Sequence, residues 1–399
     1  MELKPIIIED LKLHPVSLPL IEPLQTSFGV EAEKVAVIVE VITSDGVTGW
    51  GESPVEIWPG YGAETVGTAL HILPDFIFPK LLHKTIHKPT EVQDLLKAIR
   101  GNPHTKAGVE TAIWDAIAKM NKCGFADLLS VHLPGGHSPR PWAQVGVSIG
   151  IQDSLNDTFR IIQKRLDQGY ERIKLKIKPG WDVSFVRDVR ENFPDIMLMV
   201  DANSAYTLAD SDHLKQMDEF RLMMIEQPLA YDDIYEHSLL QSHLSTPLCL
   251  DESIKNLSDL NLALEMSACE IINLKPARVG GPTMSLEIYK VCVERDVPLW
   301  IGGMLETGIG RAANVAFASL PGVSLPSDIS ATDRYFAEDI TEPPFTLSEG
   351  ARLAVPSGVG IGVEVLQDRL DKATISNAHL GVVHSPVHWI AQWCTRLYL

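Results

Sequence analysis

The sequence predicts an α/β protein: a (β/α) barrel with a small α+β domain in front of it. Three observations carry this. From about residue 143 onward, eight short apolar runs recur at a spacing of roughly 20 to 30 residues. Each run ends in polar or glycine-rich residues and leads into a helical stretch. The first 55 residues instead alternate apolar and polar positions, as strands with one wet face do. Alternating strands and helices imply a parallel sheet, and about eight repeats close most readily into a barrel. An open doubly wound sheet is the alternative. No Gly-rich dinucleotide turn follows the first run, and "GVGIG" at 358–362 lies at the wrong end of the chain.

In chain order, "KVAVIVEVITSDGVTGWGES" reads as an antiparallel hairpin turning at "TSDGVTG". Residues 62–122 look helical, and Thr105 to Met120 carries apolar residues near a 3.6-residue period. The eight barrel runs are 143–151, 172–180, 196–206, 222–230, 247–254, 270–281, 298–308 and 322–330.

Composition narrows the function. The 399 residues are 45% hydrophobic, enough for a large core and two domains. The formal charge of −18, without a basic cluster, argues against nucleic acid and membrane surfaces as partners. The longest apolar runs are too short to span a bilayer, and the charged N-terminus does not read as a signal peptide. Five scattered cysteines without a C-x-x-C pair fit reduced core thiols and a cytoplasmic protein.

Barrel chemistry gathers at the C-terminal ends of the strands. Those ends offer Ser148, Lys174 and Lys176, Asp201 and Asn203, Glu226, Asp251 and Glu252, then Asn273 and Lys275. Lys176, Asp201, Glu226 and Asp251 follow one another at intervals of 25 residues, one βα unit each, which suggests equal heights on four neighbouring strands. Three adjacent carboxylates repel unless a cation lies among them, and all-oxygen ligation favours Mg²⁺, with Mn²⁺ next. The bland alternative is that the acids pair with lysines or cap helices. Lys275 is placed two strands beyond Asp251, so that Lys176 and Lys275 face each other across the mouth. A small-molecule carboxylate bound to the metal would then have its α-carbon between two amines. Removal of an α-proton needs the enediolate charge neutralised and a lysine whose pKa has fallen. Lys174 is the neighbour expected to depress Lys176, whereas Lys178 reads as solvated.

These residues resemble the enolase superfamily, and its muconate-lactonising subgroup in particular. The K-x-K at 174–176, the acids Asp201, Glu226 and Asp251, and Lys275 in "NLKPARVGG" carry that resemblance. "RIKLKIKPGWD", "DANSAY", "GGMLETGIGRAAN" and "SDISATDRYF" are most similar to the o-succinylbenzoate synthase and N-succinylamino acid racemase family. The resemblance implies a (β/α)7β-type TIM barrel (140–330) behind an N-terminal α+β capping domain (1–130) with lid loops at 21–30 and 52–62. A C-terminal segment (331–370) returns to the capping domain, and 371–399 is an extra tail. It implies Lys176 as the base, with Lys275 as a cation in a synthase or a second acid/base in a racemase. Asn203 and Glu252 are implied as supporting or substrate-facing partners. Arg278 matches an arginine associated with racemase activity. Ser148 and the backbone at Gly302, Gly303 and Met304 are implied to hold the succinyl part. The activity implied is dehydration to o-succinylbenzoate in menaquinone biosynthesis, or racemisation of N-succinylamino acids, or both. A homo-oligomer is expected, and Trp389, Ile390, Trp393 and Leu397 of the tail could line one helix face.

Rival readings are separable. A Schiff-base aldolase would not need three acids and should survive EDTA. A non-catalytic barrel has no reason to keep a base on each side. A dipeptide epimerase tends to carry D-x-D at the eighth strand end, where this chain has Asp328 and then Ser330. A dipeptide epimerase or a muconate cycloisomerase-like enzyme is the more distant alternative.

Overall fold

A computed structural model describes residues 3–26, 29–133 and 138–375. Its N-terminal unit is an antiparallel sheet in which Val30–Thr43 lies between Ile6–Gln25 and Thr48–Ser53, with Thr85–Ile86 on the outer edge. The helix Pro103–Met120 packs on this sheet. Glycines make the approach possible: a Cβ on Gly51 would sit 2.0 Å from the Gly108 carbonyl. The first strand continues through residues 21–25, where a loop is expected. Its pairing breaks after Pro19 and resumes at Leu24 opposite Glu31. Pro19 and Pro23 have no amide proton to give, which accounts for the break. The hairpin tip still reaches the barrel, because Gln25 O accepts the Ile151 amide at 2.9 Å.

Seven parallel strands follow in ring order: Val147–Ile149, Arg172–Lys176, Met197–Asp201, Ile225–Glu226, Leu248–Leu250, Ile271–Leu274 and Leu299–Ile301. The eighth run is no regular strand, and Pro326 within it removes one ladder donor. Two residues close the ring nonetheless. Ser327 pairs with Val145 on one side, and Asp328 pairs with Gly302 on the other. This closure rules out the open sheet. The first apolar run divides: Trp142–Gln144 pairs antiparallel with Arg352–Ala354, and Val147–Ile149 forms the barrel strand, with Val145 before it making the closing bridge. Met199, Met224, Cys249, Ile271 and Trp300 pack as a buried apolar cluster. Each lies two residues before a strand-end position on its own strand, so it faces the same way and forms the floor below the mouth.

The segment after the barrel folds back on the N-terminal unit. The Phe125 amide bonds to Gly360 O at 2.7 Å, Ile361 N to Asp115 Oδ1 at 2.7 Å, and Ile375 N to Pro15 O at 2.7 Å. The expectation for Trp389, Ile390, Trp393 and Leu397 lies outside the described residues.

One contact between the two units carries a testable charge. Glu52, at the end of the third strand, accepts Thr307 Oγ1 at 2.7 Å and the Gly310 amide at 3.1 Å, at the start of helix Gly308–Ala318. Burial pushes Glu52 up from 4.5 to about 7; Lys34 opposes the rise and Glu306 adds to it. A raised carboxyl contributes stability that is complete below its unfolded value and is lost as pH climbs to the folded one. Glu52 should therefore cost stability between pH 4.5 and 7, in total about 3 kcal/mol. In Glu52→Gln the fall of Tm across that window should be shallower than in the parent. It should not vanish, because burial also pushes Glu110 up to about 7.

Candidate active site

The mouth of the barrel holds a dense set of buried charges. Lys176, Asp201 and Glu226 are in register on adjacent strands. Glu226 pairs with Cys249, so Asp251 stands two residues further along than equal spacing suggests. Barrel strands are staggered, and a constant sequence interval preserves the inward face but not the height. Lys275 ends the strand next to that of Asp251, one step round the ring and not two. Lys176 and Lys275 therefore end the second and sixth of eight positions, on opposite sides of the mouth.

Each carboxylate meets cations in this arrangement. Lys176 Nζ donates to Asp201 Oδ2 and to Asn203 Oδ1, both at 2.6 Å. Lys174 Nζ lies among Asp328 Oδ2 at 2.7 Å, Glu226 Oε2 at 3.0 Å and Asp201 Oδ2 at 3.3 Å. Lys275 Nζ donates to Asp251 Oδ2 at 2.9 Å and to Tyr61 Oη at 3.0 Å. Arg278 bonds Asp251 through Nη1, and its other nitrogens donate to Ile254 O at 2.9 Å and Asn273 O at 2.6 Å. Asn273 Nδ2 completes the shell of Glu226 at 2.7 Å. Asn203 takes a left-handed backbone (φ 42°), and its Nδ2 donates to Glu252 Oε1 at 3.1 Å.

The electrostatics follow from this packing. Burial opposes the Lys174 ammonium, but Asp328, Glu226 and Asp201 outweigh it and hold the group well above its ordinary range. Burial also opposes Lys275, and Tyr61, Glu252 and Glu226 carry it upward. Lys275 is therefore held as an ammonium, with the Tyr61 phenol the foremost of the groups that favour the charge. Burial would raise Asp201, yet Lys176 and Lys174 hold it far below the usual carboxylate range. Glu226 and Glu252 rise, first through burial and then through Asp201.

Do these residues suit a divalent cation? Among the described residues, no three His, Cys, Asp or Glu side chains converge closely enough to enclose one. The lysine-pairing alternative describes the geometry as it stands. The donor chemistry nevertheless fits: Asp201, Glu226 and Asp251 are at most 1% exposed, end neighbouring strands and offer only oxygen. Glu252 Oε2 and Asn273 Oδ1 are buried beside them without a hydrogen-bond partner. An ion would enter by displacing ammonium contacts, with no new side chain required.

The expected succinyl contacts fare differently. The Gly302 amide bonds Leu274 O at 3.0 Å, Gly303 bonds Asp328 O at 3.2 Å, and Met304 bonds Glu306 Oε2 at 2.8 Å. Ser148 Oγ donates to Asp328 Oδ2 at 2.8 Å. All four donors are spent inside the protein, so those three amides offer a substrate no free N–H. Lys178 is half-buried beyond the strand end, where it pairs with Trp181 through backbone atoms. Two participants escaped the sequence reading. Asp328 holds Lys174. Tyr61, from the expected lid at 52–62, also lies with its ring 4.3 Å from Lys275 Nζ. A cavity of about 1300 Å³ opens beside Asn203, Glu252 and Arg278, between the barrel mouth and the N-terminal helices.

This fold and site define an enzyme class. Residues 158–369 match the "Enolase C-terminal domain-like" family, and residues 8–130 match the "Mandelate racemase / muconate lactonizing enzyme, N-terminal domain". The chain belongs to the enolase superfamily and is an enzyme of it; such enzymes generally depend on Mg²⁺ with a Lys or His base. It is 46% identical over 367 residues to the o-succinylbenzoate synthase of Geobacillus kaustophilus, covering 92% of this chain and 96% of that one. It is 42% identical over 368 residues to the N-succinylamino acid racemase of Thermus thermophilus, covering 92% and 97%. An enolase-superfamily structure from Listeria innocua superposes with a TM-score of 0.87 at 42% identity, covering 93% of this chain and 98% of that one. None of the helices among the described residues is long and apolar enough to cross a membrane.

Proposed function

We propose that the protein removes the proton α to a carboxylate, with Lys176 as the base and Lys275 on the opposite face. The preferred reaction is dehydration of 2-succinyl-6-hydroxy-2,4-cyclohexadiene-1-carboxylate to o-succinylbenzoate, as the name of the 46% identical relative suggests. Racemisation of N-succinylamino acids is the second reading, favoured by Lys275 lying diametrically across the ring from Lys176 and by the 42% identical racemase. The observation that carries both is the pair of buried lysines facing each other over three buried carboxylates.

Asp201, Glu226 and Asp251 would hold Mg²⁺, or Mn²⁺ in its place, which when bound supplies positive charge to offset the enediolate. Asn203 holds Lys176 Nζ beside Asp201, a hold it can keep when a metal takes that carboxylate. As base it must present a neutral amine, which it does by passing one ammonium proton to solvent or a neighbour. Lys174 stays charged among three carboxylates and balances their repulsion. Lys275 then has two uses. As an ammonium it stabilises the intermediate without moving a proton; the proton taken by Lys176 then goes to the departing 6-hydroxyl, which leaves as water and completes the dehydration. As an acid it returns a proton to the face opposite Lys176, which inverts the centre. Asn203 and Glu252 hold each other beside the base, and Arg278 fixes Asp251. We place the enzyme in the cytoplasm as a homo-oligomer acting on a small-molecule carboxylate.

The test is a side-by-side assay of both substrates with Mg²⁺. If only the amino-acid derivative turns over at a useful rate, the synthase assignment is wrong. Lys275→Arg keeps the cation but is too basic to exchange a proton at neutral pH. It should lose racemisation by roughly 10²-fold or more while keeping part of any synthase activity. Racemisation that persists in this variant contradicts the two-base scheme.

A further inference from the structure

Tyr61 reaches the mouth from a loop with no regular structure, so something must hold that loop in place. Its fixed point is three residues away. Glu64 accepts the His104 amide at 2.8 Å and His104 Nδ1 at 3.0 Å on one oxygen, and the Thr105 amide at 2.8 Å on the other. These are first-turn amides of the 18-residue helix Pro103–Met120. Asn102, the residue before that helix, makes no side-chain cap. The missing cap therefore comes from the loop, and an anion is favoured there by the helix dipole.

His104 closes the arrangement from below. An ionised carboxylate only accepts, so Nδ1 carries the proton toward Glu64. Nε2 is buried with no hydrogen-bond partner. The ring stands edge-on to Tyr61, 6.3 Å between centroids at 81°. Gly62 leaves it room, since a Cβ there would come within 3.3 Å of His104 Cε1. Burial works against the Glu64 charge, but the His104 and Thr105 donors hold the group below its ordinary range.

We infer that Glu64 and His104 are positioning residues, a clamp that ties the 56–64 loop to the helix start and thereby sets Tyr61 over Lys275 and Asp251. The clamp touches neither substrate nor reacting atoms. It acts through Tyr61 Oη, 3.0 Å from Lys275 Nζ and 3.2 Å from Asp251 Oδ1. The inference rests on the proposed reaction only for its kinetic consequence.

Two measurements test it. The first is hydrogen–deuterium exchange of peptides spanning 56–64, which needs no turnover. His104→Phe keeps a ring but removes the Nδ1 donor, and exchange there should quicken about tenfold. His104→Asn keeps a donor near Nδ1 and should exchange as the parent does. The second is a double-mutant cycle on KM. Tyr61→Phe and Glu64→Gln should each raise KM about tenfold, and the double variant should be no worse than Tyr61→Phe alone. Unchanged exchange in His104→Phe, or KM effects that multiply in the double variant, would overturn the clamp. A parent protein inert toward both substrates, with faster exchange still seen in His104→Phe, would sink the proposed reaction and leave the clamp standing.

Discussion

Lys176→Ala should abolish turnover of the cyclohexadiene carboxylate and of N-succinylamino acids alike. A positioned general base contributes roughly 10² to 10⁴-fold, and the neighbouring amine, Lys174, is held charged among three carboxylates and cannot replace it, so the upper end is expected. The protein should stay folded, because Asp201 keeps Lys174 at 3.3 Å when its bond to Lys176 is lost. Asn203 also keeps Glu252. The check is kcat on both substrates with Mg²⁺, together with exchange of the substrate α-proton in D₂O. Exchange should require both Lys176 and the metal. Washout at the parent rate in Lys176→Ala would assign the base elsewhere.

Glu226→Gln should be nearly as damaging for a different reason. Glu226 is fully buried and lies between Lys174 and Asn273. The amide preserves shape and the hydrogen bond from Asn273 but removes the central charge of the three. Losing a supporting partner of a ligand costs about 10 to 100-fold in metal affinity, so losing a ligand should exceed that, with kcat falling roughly 10³-fold. Folding should suffer less than when a buried ion pair is broken outright, which costs about 3–5 kcal/mol. Lys174 still has Asp201 and Asp328 to answer its charge. Mg²⁺ titration calorimetry and Tm on the same preparation separate the two effects. Full Mg²⁺ affinity in the variant would remove Glu226 from the ligand set.

The barrel was legible because its strands are short, apolar and punctuated, and because side chains two apart share a face. That parity placed Lys174 with Lys176 and Asp201 with Asn203 without any coordinates. Height was not legible. The stagger between Glu226 and Asp251 depends on which residue pairs with which across the sheet, and a regular 25-residue interval hides it. Closure by Ser327 and Asp328 was also invisible as such, since two residues after a proline do not look like a strand. Tyr61 lies 214 residues from Lys275 in sequence, and only the packing of one unit on the other brings them together. The expected lid at 21–30 is largely strand to Gln25, where prolines interrupt the pairing without ending it. Resemblance implies that the backbone at Gly302, Gly303 and Met304 holds the succinyl part, and sequence does not show where those amide protons go. Backbone carbonyls and Glu306 already occupy those amides.

The deepest question is whether three buried acids, now answered by lysines and arginine, exchange those partners for a metal. A crystal of the protein soaked in Mg²⁺ answers it. One ion should be bound by the carboxylates of Asp201, Glu226 and Asp251, with the ammonium groups moved aside. Density showing all three still paired with Lys174, Lys176, Lys275 and Arg278, with no ion among them, would contradict it.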